Sequence, residues 1–462
     1  MNVCIHGHFY QPPREDPISN YIPSEIGAEP FNNWNERILA ECYEPNALAR
    51  NFGKMSFNVG PTLFRWMWEF RPEIARMIVD QERANFEQYG VGNGMAQSYH
   101  HTILPLATAE DKVTQVYWGI CDFEYRFGHK PEGIWLPETG ADLDTLCVLS
   151  DQGLKFTILA PWQVHSENGH PGPYLVDLPG GREPFVVFPY NRDLSTMVSF
   201  IPTSTENGDQ FLNIVREKLC RGNGALNIIA SDGELYGHHQ KFRDIFLSYV
   251  LDSGKSQQDF NWTYPGKWLQ ENEVSAKATL ISPSSWSCFH GVDRWKKECA
   301  CTPGAEWKAP LYRALRGIAD WVDRTYVGFM SRFVADPWCF RNNYIKVITG
   351  QISLEALLEE EGSGFISNAD LEKITMLMLA QIKRQRIFTS CGWFHQEFHR
   401  IEPQNNIAYA AMAVWLTEMA TGEHIDSETT MALADVRDKK SGLRADTVFS
   451  QTLIRAKIEA DS

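Results

Sequence analysis

Gly133-Ile-Trp-Leu-Pro-Glu138, then Asp142-Leu-Asp-Thr-Leu-Cys-Val-Leu-Ser-Asp-Gln-Gly153, then Leu154-Lys-Phe-Thr-Ile-Leu-Ala160 is the stretch that decides the fold. The first piece predicts a short buried strand, the second a helix closed by a C-cap glycine, and the third another strand. Together they make one β-α-β unit. The same logic recurs at Leu226 to Asp232, which is strand-like and is followed by Phe242, Ile245, Phe246, Tyr249 and Val250 at helical spacing up to Gly254. Further strand candidates are Val3 to His8, Met55 to Val59, Phe185 to Pro189, Met197 to Ile201 and Ala278 to Ser282. Seven or eight short strands with helices between them, over about 290 residues, favour a β/α barrel above a doubly wound open sheet. Neither Gly-x-Gly-x-x-Gly after a strand nor Gly-x-x-x-x-Gly-Lys-Ser/Thr occurs, so nucleotide-binding folds lack their usual marks.

From about Ala309 the pattern changes. Leu315, Ile318 and Val322 keep helical spacing, as do Leu371, Ile374, Met378 and Ile382, and Ile407 to Ala420 ends at Gly422. The expected division is therefore a barrel over residues 1–305 and a helical domain over 306–462, with a polar, partly mobile tail. The whole chain has 462 residues, 43% of them hydrophobic, enough for a sizeable core. Its net charge of −15, without long basic runs, argues against nucleic acid or an anionic membrane as main partner. Because Val3-Cys4-Ile5-His6 is already strand-like and no long apolar run occurs, the expected compartment is the cytoplasm. The ten cysteines are scattered, and Cys299 and Cys301 are spaced C-x-C, not as the C-x-x-C pair of a structural zinc site. They read as mostly reduced, buried thiols.

Two acids, Glu138 and Asp232, end two of the apolar runs. In a barrel the C-terminal ends of the strands form the rim where active sites lie, so acids from different strands can face one another across a pocket. Paired carboxylates are what cleavage of a glycosidic bond requires. Histidines gather nearby in three clusters, His6 and His8, His100 and His101, and His238 and His239. His6 and His8 stand at i and i+2 of a strand and point the same way, so they could hold a metal, bond sugar hydroxyls or orient an acid. A metal-dependent hydrolase or deacetylase built on these clusters is the rival on chemistry alone, although His-Glu-x-x-His is absent. A glucan-binding protein without turnover is another alternative.

His6-Gly-His8-x-x-Gln11-Pro, His101-Thr-Ile-Leu-Pro, Trp135-Leu-Pro-Glu138, Asp232-Gly-Glu-Leu-Tyr-Gly and Thr279-Leu-Ile-Ser-Pro-Ser284 form an ordered set. The set resembles the five sequence regions of glycoside hydrolase family 57, and the stretch from Thr389 onward resembles a segment of one bacterial subgroup. The resemblance implies a retaining hydrolase or transglycosylase acting on α-glucans, on an incomplete, seven-stranded β/α barrel with an appended helical domain. Glu138 matches the nucleophile and Asp232 the general acid/base. Trp135, His8 and His101 match sugar-contacting positions, His6 and Gln11 belong to the same motif, and Trp393 is the expected aromatic lid. The substrate is then an oligo- or polysaccharide, with neither a cofactor nor a catalytic metal. His238 stands beside the second acid and could hydrogen-bond a carboxylate. The Trp286-Ser-Cys-Phe-His290-Gly-Val-Asp-Arg294-Trp295 run departs from the family pattern, and its Trp286 and Arg294 could bind a polar group on the ligand or serve packing.

Overall fold

A computed structural model describes the chain except residues 167–170, 220–224, 257–259, 363, 365 and 462. Two compact units emerge, one of Met1–Pro13, Pro23–Tyr99 and Asp122–Ser287, the other of Arg14–Ile22, His100–Cys121 and Cys288–Ser462. The division expected at residue 305 thus falls at 288, and two earlier segments join the helical unit.

The first unit carries the strands β1 Asn2–Phe9, β2 Ser56–Val59, β3 Ala96–Gln97, β4 Gly133–Trp135, β5 Phe156–Leu159 and β6 Val164–His165. They are followed by β7 Tyr174–Val176, β8 Phe185–Pro189, β9 Leu226–Asp232, β10 Asn261–Trp262 and β11 Thr279–Leu280. β1 pairs in parallel with β9, β2 and β10. A parallel bridge between Phe57 and Gly94 leads from β2 toward β3, and β3, β4, β5 and β8 continue in parallel order. At the far end the Asn191 N–H donates to Ile228 O at 2.7 Å, which draws the end of β8 beside β9. The arrangement is barrel-like, with β7 and β11 as antiparallel additions.

Strand periodicity places the site. Leu226, Ile228 and Ala230 face the apolar core together with Cys4, Trp135, Ile158 and Phe188. Because side chains alternate along a strand, Asp232 is the next position on that face of β9, and His6 and His8 follow Cys4 on β1. The register sets His8 opposite both Asn58 and Asp232. One expected strand is a helix instead. Met197 to Phe200 form the last turn of the helix Arg192–Phe200 and Ile201 is its C-cap; the Asn191 side chain caps the Leu194 N–H at 3.1 Å, and Leu194, Met197 and Val198 are buried at helical spacing. Ala278 to Ser282 contributes only the two residues of β11.

In the second unit the long helices are Lys308–Met330, Asn368–Arg386, Ile401–Thr421 and Ala445–Ala460. Asn406 through Val414 are all buried, so the middle of Ile401–Thr421 is enclosed by its neighbours, and the helix ends at Gly422, whose φ of 73° suits the left-handed cap. The tail expected to be partly mobile carries the helix Ala445–Ala460, with Val448, Phe449, Thr452 and Ala456 buried. A buried ion network crosses this unit. Arg384 donates to Asp111 and to Asp323, each at 2.5 Å, while Arg341 lies 3.2 Å from Asp111 and Gln385 donates to it at 2.7 Å. Among the described residues no helix is long and apolar enough to cross a membrane.

Candidate active site

Trp135 at the end of β4 is fully buried, and the imidazoles of His6 and His8 stack on it at centroid distances of 4.7 and 5.2 Å. His6 is fixed by Ser56 Oγ at 2.9 Å and by Asn58 Oδ1 at 3.2 Å. His8 Nδ1 accepts from Asn58 Nδ2 at 2.9 Å, and the same amide donates to Gln97 Oε1 at 2.5 Å. Burial drives both imidazoles down to about 3, so they are neutral at physiological pH and present fixed donors and acceptors instead of charge. The Trp135 indole N–H is buried without an acceptor among the described residues, an uncommon state for such a group and one suited to a ligand oxygen.

Glu138 follows Pro137 with φ 56° and ψ 22°, and Thr139 follows with φ 48°. Two consecutive non-glycine residues in the left-handed region are costly, and such strain persists only where neighbours over-determine it. Here Gln163 accepts from Thr139 Oγ1 and donates to Thr139 O, both at 2.7 Å, and Ser284 bridges to Ala141. The backbone N–H of Trp286 donates to Glu138 O at 3.1 Å. The carboxylate itself is held at Oε2 by Trp286 Nε1 at 2.8 Å and Ser287 Oγ at 2.9 Å.

Asp232 stays open to water on one side while protein crowds it on the others. That crowding first, and the charge of Glu138 second, raise its carboxyl to about 7. Glu234 is wholly enclosed and is raised to about 8, by burial first and with Asp232 adding to it. It accepts from the Tyr43 hydroxyl at 2.6 Å and from the Tyr10 N–H at 3.0 Å. One carboxyl gripped by two donors and a second raised by burial and by the charge of the first is an arrangement able to support acid and nucleophile chemistry.

The match to Glycosyl hydrolase family 57 covers residues 6–260, more than half of the chain. The protein belongs to glycosyl hydrolase family 57. Residues 304–462 match a Domain of unknown function (DUF3536). An α-amylase of Pyrococcus horikoshii is 20% identical over 298 residues, 59% of this chain and 44% of the amylase. The chain thus spans less than half the length of that relative. An exo-type maltose-forming amylase from Pyrococcus sp. ST04 superposes with a TM-score of 0.72 at 14% identity, covering 98% of this chain and 88% of the amylase. A family 57 branching enzyme from Pyrococcus horikoshii follows at 0.60 and 14%, covering 98% and 96%. These likenesses establish a shared barrel-like fold with a helical C-terminal region.

The first unit brings together Glu138, Asp232, His6, His8, Trp135 and Trp286 of the residues expected from sequence. Gln11 instead bonds the Tyr43 hydroxyl, one step behind Glu234. His238 pairs with Glu41 at 2.5 Å, so its imidazole serves a different carboxylate from the one expected. His101, Arg294 and Trp393 belong to the second unit. There His101 Nδ1 meets Ser390 Oγ at 2.6 Å. Arg294 donates to Cys301 O at 3.2 Å and covers Phe394, which ties it to its own loop. Trp393 is 2% exposed, lies among Trp307, Tyr312 and Phe388, and donates to Ile387 O at 3.3 Å. The lid role expected of it does not fit a ring spent on packing. Trp393→Ala should therefore destabilise the protein by about 3 kcal/mol, the cost of an aromatic cavity, which a denaturant midpoint measures. Unchanged stability would overturn the packing assignment.

Sequence reading missed Asn58, Gln97, Gln163 and Ser287. The signal for Asn58 was present, because Ser56 and Asn58 alternate in β2 as His6 and His8 do in β1.

Proposed function

We propose that this protein is a retaining glycoside hydrolase or transglycosylase acting on α-glucans, with Glu138 as nucleophile and Asp232 as general acid/base. The observation that carries the reading is the opposed state of the two carboxyls, Glu138 clamped by two donors to its Oε2 and Asp232 raised to about 7 beside it. Family membership and the amylase and branching-enzyme folds support the same substrate class. Glu138 attacks the anomeric carbon as Asp232 gives its proton to the leaving oxygen, and Asp232 then takes a proton from the water or sugar hydroxyl that resolves the ester. His8, neutral and fixed, binds a hydroxyl beside Trp135, and His6, whose two ring nitrogens meet Ser56 and Asn58, backs the indole from within the core. No cofactor or catalytic metal enters this mechanism.

Incubation with maltooligosaccharides and amylose, followed by product chromatography, tests the reading: shorter products indicate hydrolysis, and longer ones indicate transfer. No change in any α-glucan would sink it. Asp232→Asn should slow natural glucans by about 10²–10⁴-fold, the usual worth of a general acid. Glucosides with activated aryl leaving groups should be spared in the first step, and azide should partly rescue the second. Equal loss on both substrate types, with no azide effect, would move the acid role to Glu234. Because the acid must be protonated, kcat/KM should fall as pH rises through about 7, the value to which Asp232 is raised. A rate that keeps rising through pH 8 would contradict this.

A further inference from the structure

Four ligand-type side chains in the second unit converge: the Sγ atoms of Cys288, Cys299 and Cys301 and a ring nitrogen of His290 all lie within 4.8 Å of one another. Cys288 Sγ is 3.8 Å from Cys299 Sγ, and Cys301 Sγ is 3.5 Å from His290 Nδ1. A disulfide needs about 2.05 Å, so the first distance is no disulfide. A tetrahedral ion with metal–sulfur bonds of about 2.3 Å and a metal–nitrogen bond near 2.0–2.1 Å has sulfur–sulfur edges of about 3.8 Å and sulfur–nitrogen edges of about 3.5 Å. Both separations match those edges.

The loop is built to present these atoms. Cys288-x-His290 turns at Gly291, where φ is 76°, into the short helical turn Asp293–Trp295. Cys299-x-Cys301 is closed by Thr302 N–H donating to Cys299 O at 2.8 Å. Backbone N–H groups of His290 and Arg294 are bonded to the Cys288 sulfur, and those of Cys301 and Thr302 to the Cys299 sulfur. Donors of this kind form the outer shell that orients thiolate ligands. Three thiolates and a neutral imidazole around a divalent ion carry a net charge of −1. The amino group of Lys308, fully buried and donating to Arg294 O at 2.8 Å, stands close to Cys288 and Cys299 and closes the site on that side.

We propose that Cys288, His290, Cys299 and Cys301 bind a structural zinc ion in a Cys3His site. Binding converts three thiols to thiolates and releases three protons, and the imidazole donates from the nitrogen that faces Cys301. With all four positions filled by protein, the ion has no open coordination place and serves the fold, fixing the Cys-x-His-x8-Cys-x-Cys loop against Trp295 and Trp307 of the same core.

The test uses the full chain, produced with zinc in the medium and purified under reducing conditions without a metal-affinity tag. Elemental analysis should find about one zinc per chain, released when the thiols are titrated with a mercurial. Cys299→Ser and Cys301→Ser should each lose most of it, whereas Cys339→Ser, an exposed cysteine outside the cluster, should keep it. Should the variants fail to fold, cobalt exchanged into the wild-type protein decides. Intense thiolate-to-cobalt charge transfer with tetrahedral ligand-field bands supports the site. Wild-type protein with only trace zinc and no cobalt bands overturns it, as does iron accompanied by acid-labile sulfide.

Discussion

Glu138→Gln should lower kcat on an α-glucan by about 10⁴-fold or more, the scale of loss when a covalent nucleophile is removed. The amide keeps the shape of the side chain and can still meet Trp286 and Ser287, so the thermal midpoint should hardly move. A second readout separates this role from simple misplacement. Asp232 owes part of its elevation to the charge of Glu138, so in the variant its carboxyl should titrate lower, observable by NMR or by difference infrared spectroscopy. Near-normal turnover on the true substrate would reject the assignment.

The second large effect concerns stability. Asp111→Ala should cost about 3–5 kcal/mol, because it leaves the buried Arg341 guanidinium without its carboxylate and Arg384 with Asp323 alone. Burial alone would raise the Asp111 carboxyl, but Arg384 and then Arg341 overcome this and hold it well below the ordinary carboxylate range. A depressed carboxyl contributes stability above its unfolded pKa, near 4, and loses that contribution as pH falls toward the folded value. Asp323 runs the other way, raised chiefly by burial, so its part is lost as pH climbs past the ordinary value. Urea denaturation at pH 7 and pH 3 checks the sign for Asp111. Wild type should lose stability on acidification, and the variant should lose less. A variant as stable as wild type at pH 7 would show that the network contributes nothing.

How much of this was legible in the sequence follows from the range of the forces involved. The β-α-β unit around Glu138 is written in local patterning, an apolar run, a helix with an aspartate cap at Asp142 and a glycine stop at Gly153, and those elements form where expected. Met197 to Ile201 misled because five residues are too few to separate alternation from helical spacing when the deciding signal, the Asn191 cap, lies outside them. Glu138 and Asp232 stood out because a charge at the end of a buried strand is costly without a purpose. The partners of Glu138 did not, for Trp286 and Ser287 lie about 150 positions downstream and only the folded chain joins them. The cysteine cluster was hidden by spacing, since C-x-C with a C-x-H eight residues earlier matches no familiar zinc pattern, yet the turns bring the four side chains to a point.

The left-handed backbone at Glu138 and Thr139 carries a lesson for anyone who evolves this protein in the laboratory. Glycine at 138 would sit comfortably at φ 56°, recovering about 1 kcal/mol of the strain that a β-carbon incurs there. A selection that rewards heat resistance alone would therefore enrich sequences that have lost the proposed nucleophile, and do so early. Endurance and chemistry compete for the same residue, and only a screen that scores both will keep Glu138 in place.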